Sequence, residues 1–342
     1  MEGDSTGRNY RPSGAPVYHG RRSPGAPTAG CERGTGGTGG VTPLMSNRAI
    51  SMAPARSWRE YLELCKPRVV MLLVFTAMVG MFMASPGWVP WDAFIFGSIG
   101  IGLGAASGAA INHIVDQRAD SVMVRTSRRP LPTGRIDQAS ALIFAGMLCL
   151  LSMVLLATLV NPLTAVLTLA AMVGYSVVYT IFLKRATPQN IVIGGAAGAM
   201  PPVLGWTAVT GALDPQSLLL FLIIFAWTPP HFWALAIHRC GDYARANVPM
   251  LPVTHGIEYT RLQILLYTVL LFVVSLLPYL TRMSGPLYLV AAVLLGGVFL
   301  YYAINLYRGR DDGLPMRTFL YSIYYLMGLF TALLLDHYLL LW

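Results

Sequence analysis

Charge is what this chain has least of. Only 11% of its 342 residues are Asp, Glu, Lys or Arg, under half the roughly 25% of an ordinary soluble domain. With 55% of the residues hydrophobic, that scarcity excludes a soluble globular fold. Acids are scarcer than bases, 15 against 24, giving a formal net charge of +9. Nucleic acid does not explain the excess, because the bases fall in short segments between apolar stretches rather than on one soluble face. Cysteine is rare as well: Cys31, Cys65, Cys149 and Cys240 match no thiolate metal motif. Residues 1–56 lack any apolar periodicity and are rich in Gly, Pro, Ser, Thr and Arg. Such a segment buries too little surface to offset its ordering entropy, so it reads as a disordered tail. It also lacks the continuous apolar core of a secretory signal.

What the chain has instead is long hydrophobic runs. Stretches of about 20 apolar residues recur from residue 67 onward, each long enough to cross a bilayer as a helix. The expected spans lie near 67–85, 92–114, 139–160, 162–183, 190–211, 216–237, 260–281, 285–306 and 317–340. This is an all-α, polytopic membrane domain over 57–342, with SWREYLELCK at 57–66 as a short amphipathic helix at the membrane surface. Bases fix the orientation. Arg59, Lys66, Arg68, Arg118, Arg128, Arg135, Arg245, Arg261, Arg308 and Arg317 all fall at one end of the spans, and Arg282 stands alone at the other. The N-terminus is therefore expected in the cytoplasm and the C-terminus outside. The two longest charged loops follow spans two and six, which divides the fold into two four-helix halves plus a ninth helix.

The few acids are not scattered. Residues 112–132 read NHIVDQRADSVMVRTSRRPLP, with Asn112, Asp116 and Asp120 four residues apart. On a helix all three share one face over roughly 12 Å. Two carboxylates and an amide oxygen suit a hard divalent cation such as Mg²⁺, which takes one or two carboxylates, waters and phosphate oxygens. Arg125, Arg128 and Arg129 follow at once, and guanidinium forks match phosphate oxygens. Acids alone would mark a cation site and arginines alone a membrane-surface patch. Together they indicate a metal–diphosphate clamp. Upstream, GLGAASGAA at 102–110 either lets helices pack closely or leaves room for an extended ligand.

A second polar group closes span six, in WTPPHFWALAIHRCGDY at 227–243. Pro229 and Pro230 are expected to break the helical ladder inside the membrane, where only a cavity or surrounding protein tolerates it. His231 and His238 lie seven apart on one face, followed by Arg239 and Asp242. A histidine within a span is a functional candidate, against the alternative of a neutral ring bonded to a freed carbonyl. At the end of span four, Tyr179, Lys184 and Arg185 either anchor the span at the membrane edge or reach the same diphosphate. IGGAAGAMPP at 193–202 is no dinucleotide loop, because it lies in a span with no preceding strand.

The spacing of Asn112, Asp116 and Asp120 resembles the first aspartate-rich motif of the intramembrane aromatic prenyltransferase (UbiA) superfamily. DSVMVRTSRRPLPTGRI, LKRATPQNIVIGGAAGAMPPVLGW and WTPPHFWALAIHR with DYARANVPMLPVTHG are similar to its heme-modifying branch, the protoheme IX farnesyltransferases. The similarity spans roughly 57–342. It implies nine transmembrane helices around a central cavity, and transfer of the farnesyl group of farnesyl diphosphate to a vinyl group of heme b, giving heme O. It implies Mg²⁺ at Asn112, Asp116 and Asp120, in a membrane of a bacterium or a mitochondrion. The Gly- and Arg-rich tail does not read as a transit peptide, so the bacterial plasma membrane is expected. Terminal oxidase assembly factors and heme A synthase are implied as partners, since heme O feeds those proteins. Other superfamily members carry a second aspartate-rich motif after span six. Here the matching stretch offers Asp242 with His231, His238 and Arg239, which puts a second metal in doubt. In this reading Arg125, Arg129, Lys184, Arg185 and Arg239 neutralise the leaving diphosphate. Tyr179 lies beside it, and His231 orients water, meets a heme propionate or binds the iron. A different aromatic acceptor, a secondary transporter and a heme-carrying protein are the rival readings.

Overall fold

The computed structural model describes residues 57–123, 126–183, 186–309 and 311–340. The expected tail, together with Arg125, Lys184 and Arg185, lies outside the described residues. All regular structure among them is helical: α1 Trp58–Leu64, α2 Pro67–Met83, α3 Trp91–Val122, α4 Gln138–Leu159 and α5 Pro162–Val173, which continues as a π-helix over Gly174–Leu183. There follow α6 Asn190–Ala199, α7 Pro201–Thr210, α8 Pro215–His238, the short α9 Cys240–Arg245 and α10 Leu251–Thr254, then α11 Ile257–Leu280, α12 Pro286–Tyr307 and α13 Leu314–Leu340. Among the described residues, eight helical segments are long and apolar enough to cross a membrane, or nine if the bent pair α1–α2 counts as one. The chain is a multi-pass membrane protein.

Local chemistry sets these boundaries. Proline opens α2, α5, α7, α8 and α12, where its missing N–H costs nothing and its fixed φ suits the first turn. Asp137 and Asn161 cap α4 and α5 by accepting from the backbone N–H groups of Ser140 and Thr164, each at 2.9 Å. Span five is two helices, α6 and α7, meeting at Met200 before Pro201 and Pro202. In α8 the expected break does not occur: Pro229 and Pro230 sit inside one helix from Pro215 to His238. The Thr228 hydroxyl donates to the Ile224 carbonyl at 2.8 Å, and all of residues 226–231 are buried, so packing on every side holds the helix through the two lost donors.

Burial separates inner from outer helices. About 61% of the apolar window of α8 is inside the protein against 17% for α4, so α8 is a central strut while α4 faces lipid. α8 packs on α6, α11 and α13. The small residues of GLGAASGAA turn out to be filled by neighbours rather than by an open channel. Gly104 faces Thr168 and Ser152, Gly108 faces Met172 and Tyr175, and the Ser107 hydroxyl donates to Ala145 O at 2.8 Å. The closest approach is between α2 and α7, where Gly80 lies against the Pro202 carbonyl and Gly205 against the Ala77 carbonyl. No side chain fits between those backbones, as in other small-residue crossings in membranes. Gly205→Ala is therefore expected to destabilise by about 1–3 kcal/mol through overpacking. Gly146→Ala on the open face of α4 should leave the melting temperature in detergent unchanged or raise it.

Candidate active site

The three oxygen-bearing residues of the first constellation lie where the helical spacing puts them. Asn112, Asp116 and Asp120 are all buried near the end of α3 and line one cavity of about 160 Å³. The chain beyond α3 folds back onto it. Thr126 Oγ1 donates to the Asp120 carbonyl at 3.1 Å, and Gln117 Nε2 donates to Leu131 O at 3.1 Å. This return brings Arg129 home, with its Nη1 2.6 Å from Asp120 Oδ2. Arg128, by contrast, is exposed, and its carbonyl accepts from Arg135 at 2.6 Å.

The opposite wall comes from the π-helix. The Thr180 hydroxyl donates to the Tyr175 carbonyl five residues back at 2.8 Å and accepts from Asn112 Nδ2 at 3.2 Å. The wider turn places Tyr175 and Tyr179 in a stack, 5.8 Å between centroids and 16° between planes. Both line the cavity. Gly194 on α6 is required here, since a side chain would overlap the Tyr179 ring. π-helical turns are frequent at functional sites. Phe232 and Ala236 of α8 and Tyr243, Val248 and Met250 complete the enclosure. At about 160 Å³ the cavity is below the 300–1,000 Å³ of sites that enclose a whole drug-sized ligand. It has room for a polar head group, not for a C15 chain or a macrocycle. A larger hollow of about 570 Å³ lies at the other end, beside Arg282, Ser284 and His337. Its one carboxylate, Asp336, is spent accepting from the backbone N–H groups of Gly285 and Tyr288, whereas the smaller cavity gathers two carboxylates with Lys66 and Arg129.

The second constellation does not join the first. His231 is buried but lies outside the cavity lining, while its neighbour Phe232 lies within it. Its ring is stacked between Trp227 and Phe319, at 4.2 and 4.5 Å, and its Nδ1 is 2.6 Å from Ser322 Oγ. That hydroxyl donates to Phe319 O, so it accepts from the ring, and Nδ1 carries the proton. His231 thus braces α8 against α13. Its Nδ1 is therefore turned to Ser322 rather than to the acids of α3. His238 is exposed on the last turn of α8, and Asp242 is buried with Arg245 as its ion-pair partner. Neither they nor Arg239 line the cavity. Among the described residues no three His, Cys, Asp or Glu side chains converge as a metal site.

Reading the sequence missed Lys66, Tyr175 and Tyr243, which line the cavity, and Thr180. In the sequence Lys66 is one more base at the membrane edge. Tyr175 carried a signal, its spacing of four from Tyr179.

Residues 73–333 match the UbiA prenyltransferase family. The chain belongs to that family. Among curated relatives in it, the chain is 64% identical over 283 residues to the protoheme IX farnesyltransferase of Nitrosococcus oceani, covering 83% of this chain and 95% of that one. It is 60% identical over 294 residues to the protein of that name from Hahella chejuensis, covering 86% and 98%. Solved family structures share the fold at low identity. A digeranylgeranylglyceryl phosphate synthase matches with a TM-score of 0.69 at 19% identity, covering 82% of this chain and 98% of that one. A UbiA homolog from Archaeoglobus fulgidus bound to GPP and Mg²⁺ matches at 0.56 and 18%, covering 80% and 99%. The family match thus spans both constellations and the cavity lining apart from Lys66. Because His231 braces helices rather than lining that cavity, His231→Ala is expected to lower the melting temperature, by the roughly 2–5 kcal/mol typical of emptying a buried site. Affinity for inorganic pyrophosphate, followed by calorimetry, should stay within about threefold of wild type.

Proposed function

We propose that this chain transfers the farnesyl group of farnesyl diphosphate to a vinyl group of protoheme IX, with addition of water, giving heme O and diphosphate. The observation that carries the reading is the single cavity in which Asp116, Asp120 and Asn112 meet Arg129 and Lys66. Its acceptor half rests on relatives about 60% identical over most of the chain that bear the name protoheme IX farnesyltransferase. Residues 57–342 form the catalytic domain in this reading.

The chemistry needs a leaving group whose charge is neutralised. The allylic C–O bond breaks with its electron pair leaving on the diphosphate. The vinyl π pair forms the new C–C bond, and water adds to the resulting cation with loss of a proton. Asp116 and Asp120 fit a hard divalent cation: both are buried carboxylates facing one cavity, one turn apart. Two carboxylates do not complete a coordination shell, and Mg²⁺ normally takes substrate phosphates and water for the rest. When bound, Mg²⁺ supplies positive charge to the diphosphate oxygens. This chain's own part is to hold cationic side chains at the same end. Arg129 is fixed on Asp120 before substrate arrives, and such preorganised charge counts for more where water is scarce. Arg125, Lys184 and Arg185 are assigned to the same task from their sequence positions. Tyr175 and Tyr179 present aromatic faces to the allylic end.

The accumulation of bases at the cavity end supports a cytoplasmic N-terminus and a cavity opening toward the cytoplasm of a bacterial plasma membrane. In that setting the product passes to terminal oxidases or to an enzyme that makes heme A.

Membranes containing the chain, incubated with labelled farnesyl diphosphate and heme b, are expected to yield heme O by mass spectrometry of extracted hemes. Label appearing in a quinone precursor and not in heme would overturn the acceptor. Asp116→Asn should cut transfer at least about a hundredfold, the scale of losing one preorganised charge stabiliser. Near-normal transfer at saturating Mg²⁺ would sink the clamp.

A further inference from the structure

The spacing of Asn112 with two aspartates makes it look like a third metal ligand, but both its amide nitrogen and its amide oxygen already have partners. Its Nδ2 donates to Asp116 Oδ2 at 2.9 Å and to Thr180 Oγ1 at 3.2 Å, which uses both amide hydrogens. Its Oδ1 accepts from Lys66 Nζ. The orientation of the amide is not arbitrary, because an ammonium only donates and a carboxylate only accepts. The oxygen that would meet a cation therefore already faces a cation. A divalent ion on the same oxygen would stand within a few ångströms of the ammonium, and like charges that close repel strongly in a poorly hydrated site.

Lys66 is placed there deliberately. It is the N-cap of α2 with φ 50° and ψ 60°, a left-handed conformation that a residue with a side chain holds only under constraint. It sits at the 54° bend between α1 and α2. The preceding Leu64 is completely buried in a cluster with Ala110, Leu131 and Ile136. Glu60 pairs with Arg135 at 3.4 Å. Both contacts pin α1 to the segment that also carries Arg129. The bend then delivers the Lys66 ammonium into the cavity.

We infer that Asn112 is a positioning residue and not a metal ligand: it holds Asp116 on one side and, on the other, the Lys66 ammonium, which binds the departing diphosphate. The inference rests on the metal–diphosphate reading above and redistributes the roles within it. Asp116 and Asp120 hold the metal, while Asn112 and Lys66 serve the anion. It also gives α1 a role in substrate binding, since α1 and its bend fix where Lys66 points.

The test uses the full-length chain in detergent, with Mn²⁺ as the metal and inorganic pyrophosphate as the anion. Bound Mn²⁺ is read by electron paramagnetic resonance at saturating pyrophosphate, and pyrophosphate affinity by calorimetry at saturating Mn²⁺. Asn112→Ala should leave the Mn²⁺ Kd within about threefold and weaken pyrophosphate by about tenfold or more. Lys66→Met should do the same, and Lys66→Arg should recover most of the loss. The double variant should be no more than about twofold worse than Lys66→Met alone, as expected for two residues acting as one unit. Asp116→Asn is the reference and should weaken Mn²⁺ by at least about tenfold. If Asn112→Ala weakens Mn²⁺ as much as Asp116→Asn, or Lys66→Met leaves pyrophosphate affinity unchanged, the inference fails while the clamp stands. If Asp116→Asn itself binds Mn²⁺ like wild type, the clamp fails first and takes the inference with it.

Discussion

Burying two carboxylates at the edge of a membrane is the constraint around which the rest of this molecule is arranged. An isolated carboxylate taken out of water is costly unless it is paired and hydrogen-bonded. Asp120 has Arg129 against it, and Asp116 has the Asn112 amide, itself held by Lys66. The cations that make these buried carboxylates tolerable are those a diphosphate requires. In this account the site rests with its charges paired internally and exchanges those pairs for a metal and an anion when substrate arrives.

The fold supplies that arrangement by close packing where the site must be rigid. The backbone crossing of Gly80 and Gly205 ties α2, whose N-cap is Lys66, to α7. The stripe of small residues in α3 lets it pack along α4 and α5, fixing the face that carries the acids. The π-helix at the end of α5 turns two tyrosines and Thr180 toward α3. α8 closes the cavity with Phe232 on one side and is braced by His231 to α13 on another. Adjacent residues of one helix therefore line the cavity and brace the bundle.

Much of this was legible in the residues. Apolar runs of sufficient length announced the spans, and the spacing of Asn112, Asp116 and Asp120 announced a shared face, because both follow from helix geometry alone. The family motif pointed to the same helix end. What depended on tertiary contact was not legible. Lys66 looks like any base flanking a span until Asn112, 46 residues away, is seen to accept from it. His231 looks functional because it is an ionisable residue in a span, and only Ser322, 91 residues on, shows what holds it. The π-turn has no sequence signature beyond the pairing of Tyr175 with Tyr179. The Pro229–Pro230 pair promised a break that the surrounding helices suppress.

The central claim is that Asp116 and Asp120 place a divalent metal directly on the substrate's diphosphate. The most direct measurement is electron–nuclear double resonance of Mn²⁺ bound to the protein with an unreactive farnesyl diphosphate analogue. The account predicts strong ³¹P couplings in the wild-type protein and their disappearance in the Asp116→Asn, Asp120→Asn double variant. The same couplings persisting unchanged in that variant would contradict it.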